Sequence, residues 1–382
     1  MTNWQKLLLI AVLFSACKKP FVPPNTLNDT NKYLVIDGVI NAGSDSTFIK
    51  LSRTKKFENG ITIDHETGAQ LNVEGDDNSS YQLVETVPGT YASAGLNLNA
   101  SHKYRLRIKT TNGKEYLSDF VVVKNSPLID SVGFTAKPTA LTIYANSHDA
   151  TNNTKYYRWE YTEAWEFHST YESFWDGTAP RAKDDYVYYC FAKDTSSYIT
   201  LATTTKLSND VVYQAPITTI DPSSEKIEIR YSIEVKQFAL TSDAYNFWDN
   251  LHKNNETNGT IFDIQPSDNQ TNYHCLTDPG ELVVGYLSVG SVATKRIFID
   301  RGQLLSSYNP QYAYANGCQV DTAYYAKNQY GIFVPPTTYT AIEGFYYTPP
   351  APFGAPTQIT YSTRDCADCT TRGVTQPPSF WR

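Results

Sequence analysis

Beyond Ala16 the 382-residue sequence has no apolar run long enough to cross a bilayer, which takes about 20 residues. No later membrane-spanning helix is therefore expected. Positive charge is also in deficit, with 32 Lys and Arg against 39 Asp and Glu and a formal net charge of -7. Nucleic acids are bound through clustered cations, so no nucleic-acid partner is expected. Histidine is sparse at six. None of the six falls in an HExxH pattern or beside acidic residues at helical spacing, which indicates no metal and no cofactor. A Gly-rich phosphate loop is missing too. Gly285-Tyr286-Leu287-Ser288-Val289-Gly290 lacks both GxSxG spacing and an α/β context, so Ser288 reads as an ordinary strand residue. Carboxylates are plentiful, yet no local spacing selects a glycosidase pair. The chain is read as a non-enzyme, with a hydrolase using an unrecognised carboxylate pair kept as an alternative.

What the sequence does have is a leader-like start. Lys6 precedes the apolar run Leu7 to Phe14, then Ser15-Ala16, then Cys17. A short apolar core between a cation and small residues is the pattern of a signal peptide rather than a spanning helix. Residues 1–16 are read as that signal, and Cys17 as the lipidated first residue of the mature chain, anchored in the bilayer through acyl chains. Two or three such chains together hold a protein on a membrane almost permanently. Residues 17–30 carry Pro20, Pro23 and Pro24 and read as a tether reaching roughly 40 Å.

Twenty-nine tyrosines, against one methionine, and many Thr, Val and Ile residues favour pleated, half-buried surfaces, so the fold is read as mainly β. From Tyr33 onward short alternating runs are punctuated by turn residues. Tyr33 to Ile40 and Ser46 to Ser52 read as strands joined at Asn41 to Asp45, where Gly43 can take positive φ. Tyr104 to Lys109 alternates apolar residues with cations and turns at Asn112-Gly113 into Glu115 to Ser118, a hairpin signal. About seven short strands in roughly 95 residues with no helical pattern predict an immunoglobulin-like β-sandwich over 31–125. Pro127 closes it. A larger β-rich domain is expected over 126–382, with one short amphipathic helix in which Ala244, Phe247, Trp248 and Leu251 share a face. Ser242 is read as its cap and Asn258-Gly259 as its end. Long ordered loops are expected around 328–357, where prolines interrupt any central strand.

Five cysteines follow Cys17: Cys190, Cys275, Cys318, Cys366 and Cys369. In an exported chain they predict two disulfides and one free thiol, with connectivity left open. Cys366-Ala367-Asp368-Cys369 lacks the βαβ surroundings of a redox CxxC and the second ligand pair of a zinc site, so bridging is preferred. The densest aromatic stretch runs from Trp159 to Trp175. Trp165, Phe167, Tyr171, Phe174 and Trp175 are expected in a loop, as candidate binding residues for a sugar or a protein partner. A satellite cluster that tucks the loop down is the reading preferred over binding, because large aromatics are usually buried.

The tail from Asp365 to Trp381, with Asp365-Cys366-Ala367-Asp368-Cys369 and Pro377-Pro378-Ser379-Phe380-Trp381, resembles the ending of the domain of unknown function 4249 lipoproteins of Bacteroidota. Leu34 to Ile40, Pro88-Gly89-Thr90-Tyr91, Gly113-Lys114-Glu115-Tyr116, the helix with Trp248, Ile261-Phe262-Asp263 and Gly285-Tyr286-Leu287 resemble that family's blocks in order. The resemblance implies a lipid-anchored outer-membrane protein, with the cell-surface face preferred over the periplasmic one. It further implies an accessory role beside a TonB-dependent receptor in ligand capture or uptake. A stand-alone surface glycan-binding lipoprotein is the other binding alternative. The family brings no catalytic residues.

Overall fold

The computed structural model describes residues 32–54, 63–174, 181–182, 185–256, 271–310, 317–324, 339–346 and 356–381. The leader, Cys17, the tether, Trp175 and Asn258-Gly259 lie outside the described residues.

The first sandwich is built from nine strands: β1 (Leu34–Asn41), β2 (Thr47–Arg53), β3 (Asp64–His65), β4 (Gln70–Gly75), β5 (Ser80–Val87), β6 (Thr90–Ser93), β7 (Lys103–Lys109), β8 (Glu115–Ser118) and β9 (Val121–Val122). Alternation turns Leu71, Val73, Leu106 and Ile108 inward, where Leu71 stands opposite Ile108 and Val73 opposite Leu106. They meet Leu34, Ile36, Ile49 and Leu51 of the other layer in one core. Burying each such side chain stabilises the fold by roughly 1.5–3 kcal/mol. β5 belongs to both layers. Its first half pairs β4 and its second half pairs β6, so the chain passes from one sheet to the other at the Leu83–Val84 step. The β7–β8 hairpin is as the sequence predicts, with Gly113 at φ +83. The β1–β2 turn also falls where the sequence places it, without Gly43 taking the positive φ open to it. Side chains hold that turn instead, with Asn41 Oδ1 accepting from Gly43 N and Thr47 Oγ1 from Asn41 N.

A second sandwich follows. β10 (Ile129–Lys137), β11 (Ala140–His148) and β15 (Val211–Ile220) form a three-stranded sheet. It packs on a five-stranded sheet in which β13 (Tyr189–Thr195) and β14 (Thr200–Thr203) pair the two halves of one edge of β12 (Tyr156–His168), followed on its other edge by β16 (Arg230–Ala239) and β20 (Val292–Asp300). Tyr157, Trp159, Tyr231, Ile233 and Val235 fill the space against Leu141, Ile143 and Ile217. The chain is thus mainly β, with an immunoglobulin-like sandwich leading a larger β-rich part.

The unit predicted to close at 125 is completed much later. After helix α1 (Ser242–Glu256) and before β20, the short strands β17 (Tyr273–Cys275), β18 (Val283–Val284) and β19 (Val289–Gly290) return to the first sandwich. β17 extends the β8 edge, and β18 and β19 run parallel to β1. Tyr273, Cys275, Val283, Leu287 and Val289 enter its core. Gly285 permits the close approach. It sits at φ +135, and a Cβ there would lie 2.2 Å from the Ile36 carbonyl oxygen.

Helix α1 buries Ala244 and Phe247 as its stripe predicts, Ala244 in a cluster with Phe238 and Leu240 and Phe247 against the Tyr286 ring. Its cap is Thr241 rather than Ser242: the Thr241 hydroxyl accepts from Ala244 N at 3.2 Å and its carbonyl from Tyr245 N. The rest of the chain adds β21 (Asp321–Tyr324), β22 (Tyr339–Tyr346), β23 (Pro356–Thr363) and the single turn α2 (Arg364–Ala367). β22 and β23 occupy part of the region expected to be loop, in the order β21-β23-β22. Pro356, as the first residue of β23, needs no ladder N–H within the strand.

Both disulfides form over long separations, Cys190 with Cys369 and Cys318 with Cys366, and Cys275 is the free, buried thiol. The two CxxC cysteines therefore each bridge to a distant partner, which excludes a bond between them. The tail that follows lies over the five-stranded sheet. Phe191 exchanges backbone hydrogen bonds with Val374, and the Trp381 ring meets Phe191 and Phe298.

Candidate ligand cleft between the two sandwiches

Strand alternation decides which β12 residues point away from the core. Tyr157, Trp159 and Tyr161 turn inward, leaving Arg158 and Glu160 on the outer face, opposite Phe238 and Lys236 of β16. On the first sandwich the pair Asp37 and Lys50 of β1 and β2 stands in register. These two surfaces, with Trp248 of α1, bound a cleft of two lobes, about 360 Å³ and 560 Å³. Asp37, Lys50, Arg158, Glu160, Lys236 and Trp248 line both. The smaller lobe continues along the hydroxyl-bearing stretch Thr195 to Tyr198. In the larger lobe Val39, Phe48, Phe238 and Val292 supply an apolar wall. Both volumes fall in the range of small-molecule sites.

Arg158 organises the floor. Its guanidinium lies over the Trp248 ring at 4.2 Å and the Phe238 ring at 4.7 Å, and Nη1 pairs with Glu160 Oε1 at 2.7 Å. The side chain is 7% exposed and its Nε has no hydrogen-bond partner among the described residues. A guanidinium tolerates such a position better than an ammonium because it is planar and weakly hydrated. The stack ties α1 to the sheet. Lys50 and Lys236, in contrast, have no carboxylate within ion-pair distance among the described residues.

Carboxylates buried elsewhere are already occupied. Glu163 accepts from the Tyr231 hydroxyl at 2.6 Å and from Lys226, and burial together with the Glu163 charge pushes the Tyr231 hydroxyl well above its usual range. Glu281 accepts from the Tyr116 hydroxyl at 2.6 Å and from Lys114. Burial opposes its charge, but those hydrogen bonds outweigh it and hold the carboxyl below the ordinary range. Asp210 is held by Thr204 and Lys155, and Asp368 by Arg364. None of the four lines either lobe.

The aromatic residues singled out in the sequence separate. Trp165 and Phe167 belong to β12, which runs seven residues beyond Tyr161, and not to a loop. Trp165 is half-buried beneath the Lys226 ammonium, 5.0 Å from its ring. Phe167 is buried against Cys190 and Cys369, with Arg372 over its face. Tyr171 is held to the disulfide region, its N–H donating to the Cys366 carbonyl and its hydroxyl to the Cys318 carbonyl. Phe174 alone of the four is open, at 47% exposure. It meets Tyr186 edge to face, and Tyr188 and Tyr189 gather around His168 nearby in sequence. His168 pairs with Glu228 at 2.7 Å; burial lowers its basicity, and the Glu228 bond more than restores it. Tyr186-Val187-Tyr188-Tyr189 beside Cys190 was not singled out in the sequence, although its density of tyrosine is a signal that could have found this patch. For the cleft there is no comparable signal, because its lining comes from segments as far apart as Asp37 and Thr294 whose charges look like ordinary strand faces.

Among solved structures, a two-domain fibronectin type III segment of chicken tenascin is similar over 55% of this chain and 91% of its own, at 9% identity and a TM-score of 0.16. A DUF3823 family protein from Parabacteroides merdae is similar over 55% of this chain and 92% of its own, at 12% identity and the same score. Scores this low establish no shared fold, which rests here on strand order and register. No curated protein matches the sequence. The family model described as Domain of unknown function (DUF4249) matches residues 18–296. With most of the chain covered by that match, the protein belongs to the DUF4249 family.

Proposed function

We propose that the protein is a lipid-anchored accessory subunit that captures a ligand beside a TonB-dependent outer-membrane transporter, with Cys17 as the anchor on the cell-surface face. The observation that carries the binding half of this reading is the two-lobed cleft where both sandwiches and α1 meet, lined by lysines that have no carboxylate partner. A non-enzymatic role is supported by Glu163, Glu281, Asp210 and Asp368, which are engaged away from that cleft. The test is purification from native membranes in mild detergent. Recovery with an outer-membrane transporter is expected, together with palmitate incorporation that Cys17→Ala abolishes. Recovery as a free monomer, or an unlabelled wild type, would defeat the proposal.

The exposed rings of Phe174, Tyr186 and Tyr189 favour a second reading, a stand-alone glycan-binding protein, since such rings stack on sugars at low entropic cost. Binding on a glycan array that disappears in Phe174→Ala and Tyr189→Ala would separate it from the first.

A further inference from the structure

The cleft has a chemical bias that narrows its ligand. Of the charged residues common to both lobes, Lys50, Arg158 and Lys236 face only Asp37 and Glu160, a local cation excess in a chain whose net charge is -7. Asp45, exposed in the β1–β2 turn, joins only the larger lobe. Glu160 is taken by Arg158. Asp37 is opposite Lys50 in strand register, and Glu160 opposite Lys236, yet neither lysine closes an ion pair among the described residues. Two ammonium groups, one from each sandwich, therefore line the same space, facing the carboxylate of Asp37 in the smaller lobe and those of Asp37 and Asp45 in the larger. Next to them the larger lobe is apolar: Phe48 is 53% exposed there, beside Val39, Phe238 and Val292. Apolar surface rimmed by polar groups is the character of a ligand-binding groove.

We infer that the cleft binds an amphipathic organic anion, its acidic group held between Lys50 and Lys236 and its apolar body laid along Phe48 and Trp248. This inference rests on the ligand-capture reading and names the ligand class for the same site. Arg158 contributes as a fixed part of the wall. Its guanidinium is locked between two rings and occupied by Glu160, so the two lysines supply the selectivity for charge. Bridging both sandwiches, such a ligand would also brace one against the other.

The matched probes are 8-anilinonaphthalene-1-sulfonate and N-phenyl-1-naphthylamine, which share the ring body and differ by the sulfonate. With the full-length lipoprotein in a non-ionic detergent, the anion is expected to bind at one site per chain. Its affinity should exceed that of the neutral probe by about tenfold or more, the scale of one or two charge-assisted contacts. Added salt should narrow the gap. Lys50→Gln with Lys236→Gln should bring the anion to the level of the neutral probe, while Lys103→Gln, on the other layer of the first sandwich, should not. Both cleft substitutions are at solvent-accessible positions, and an unchanged thermal midpoint verifies that the fold is kept. Equal affinity for the two probes, undiminished anion binding in the double variant, or no binding of either probe would overturn the inference. Co-purification with a transporter is a separate readout, so the ligand class can fail while the accessory role stands.

Discussion

Trp159 donates its indole N–H to Oε1 of Gln237 across 3.0 Å, and both side chains are buried. The amide's other end donates to the Pro127 carbonyl at 2.8 Å and to Ser147 Oγ at 3.0 Å, while Ser147 donates to the Leu128 carbonyl. One glutamine thereby fastens the linker between the sandwiches to the interior of the second. Gln237→Leu leaves the buried Trp159 N–H without its acceptor, while the Pro127 carbonyl keeps the Ser126 hydroxyl at 3.3 Å. An orphaned buried donor costs about 1–3 kcal/mol, and a loss of that size is expected, read from the urea midpoint followed by tryptophan fluorescence.

The two disulfides close long segments, with sequence separations of 179 and 48. On a chain-entropy basis each stabilises the fold by about 4–5 kcal/mol, with native strain subtracting from that figure. Cys369→Ser removes the bond that seats the tail beside Phe167. Limited proteolysis should then clip the chain after residue 369 while the first sandwich, which contains neither bond, stays resistant. Protection of the tail in that variant would show that Val374 and Trp381 suffice to hold it.

The parts of this fold legible in the sequence are those set by local periodicity. Leu71-Asn72-Val73 and Tyr104 to Lys109 alternate because one side faces a core, and Ala244, Phe247 and Trp248 recur at helical spacing for the same reason. The odd cysteine count gave two bonds and a free thiol, but pairing depends on tertiary proximity and stayed open. Two readings failed for a shared cause. Trp165 and Phe167 looked like loop aromatics because their strand carries Glu163 and Glu166 among the rings, and a long strand flanked by two different partners need not alternate cleanly. The boundary at 125 was placed at a proline, a local mark, whereas completion of the first sandwich by residues 271–290 is a non-local pairing. Cleft residues such as Asp37 and Lys236 were invisible for that reason too.

Acid stability should report on the turn after β11. Asp149 accepts hydrogen bonds from the Thr151 hydroxyl and from the backbone N–H groups of Thr151, Asn153 and Thr154. Burial pushes its carboxyl up, but these bonds prevail and bring the pKa down to about 2. A depressed folded-state pKa stabilises fully above the unfolded value of 3.8 and is lost as pH falls toward 2. Asp149→Asn should therefore lower the denaturation midpoint at pH 5 and converge with the wild type near pH 2. A difference that persists unchanged at pH 2 would assign the effect to turn geometry alone.

The late return of the chain makes a sharper demand on folding. A fragment spanning 32–125 carries β1 to β9 but lacks Tyr273, Cys275, Val283, Leu287 and Val289 from its core. It also exposes the β1 edge and the β8 edge that β18, β19 and β17 cover. Five missing buried side chains at roughly 1.5–3 kcal/mol each exceed much of the 5–15 kcal/mol net stability of an ordinary domain. The fragment should accordingly show strand content by circular dichroism without a cooperative melt. Joining residues 271–290 to it through a flexible linker should restore the melt, and Gly285→Ala in that joined segment should abolish the rescue by driving a methyl into the Ile36 carbonyl. Cooperative unfolding of 32–125 alone would mean that the first nine strands form a complete sandwich and that the returning segment only decorates it.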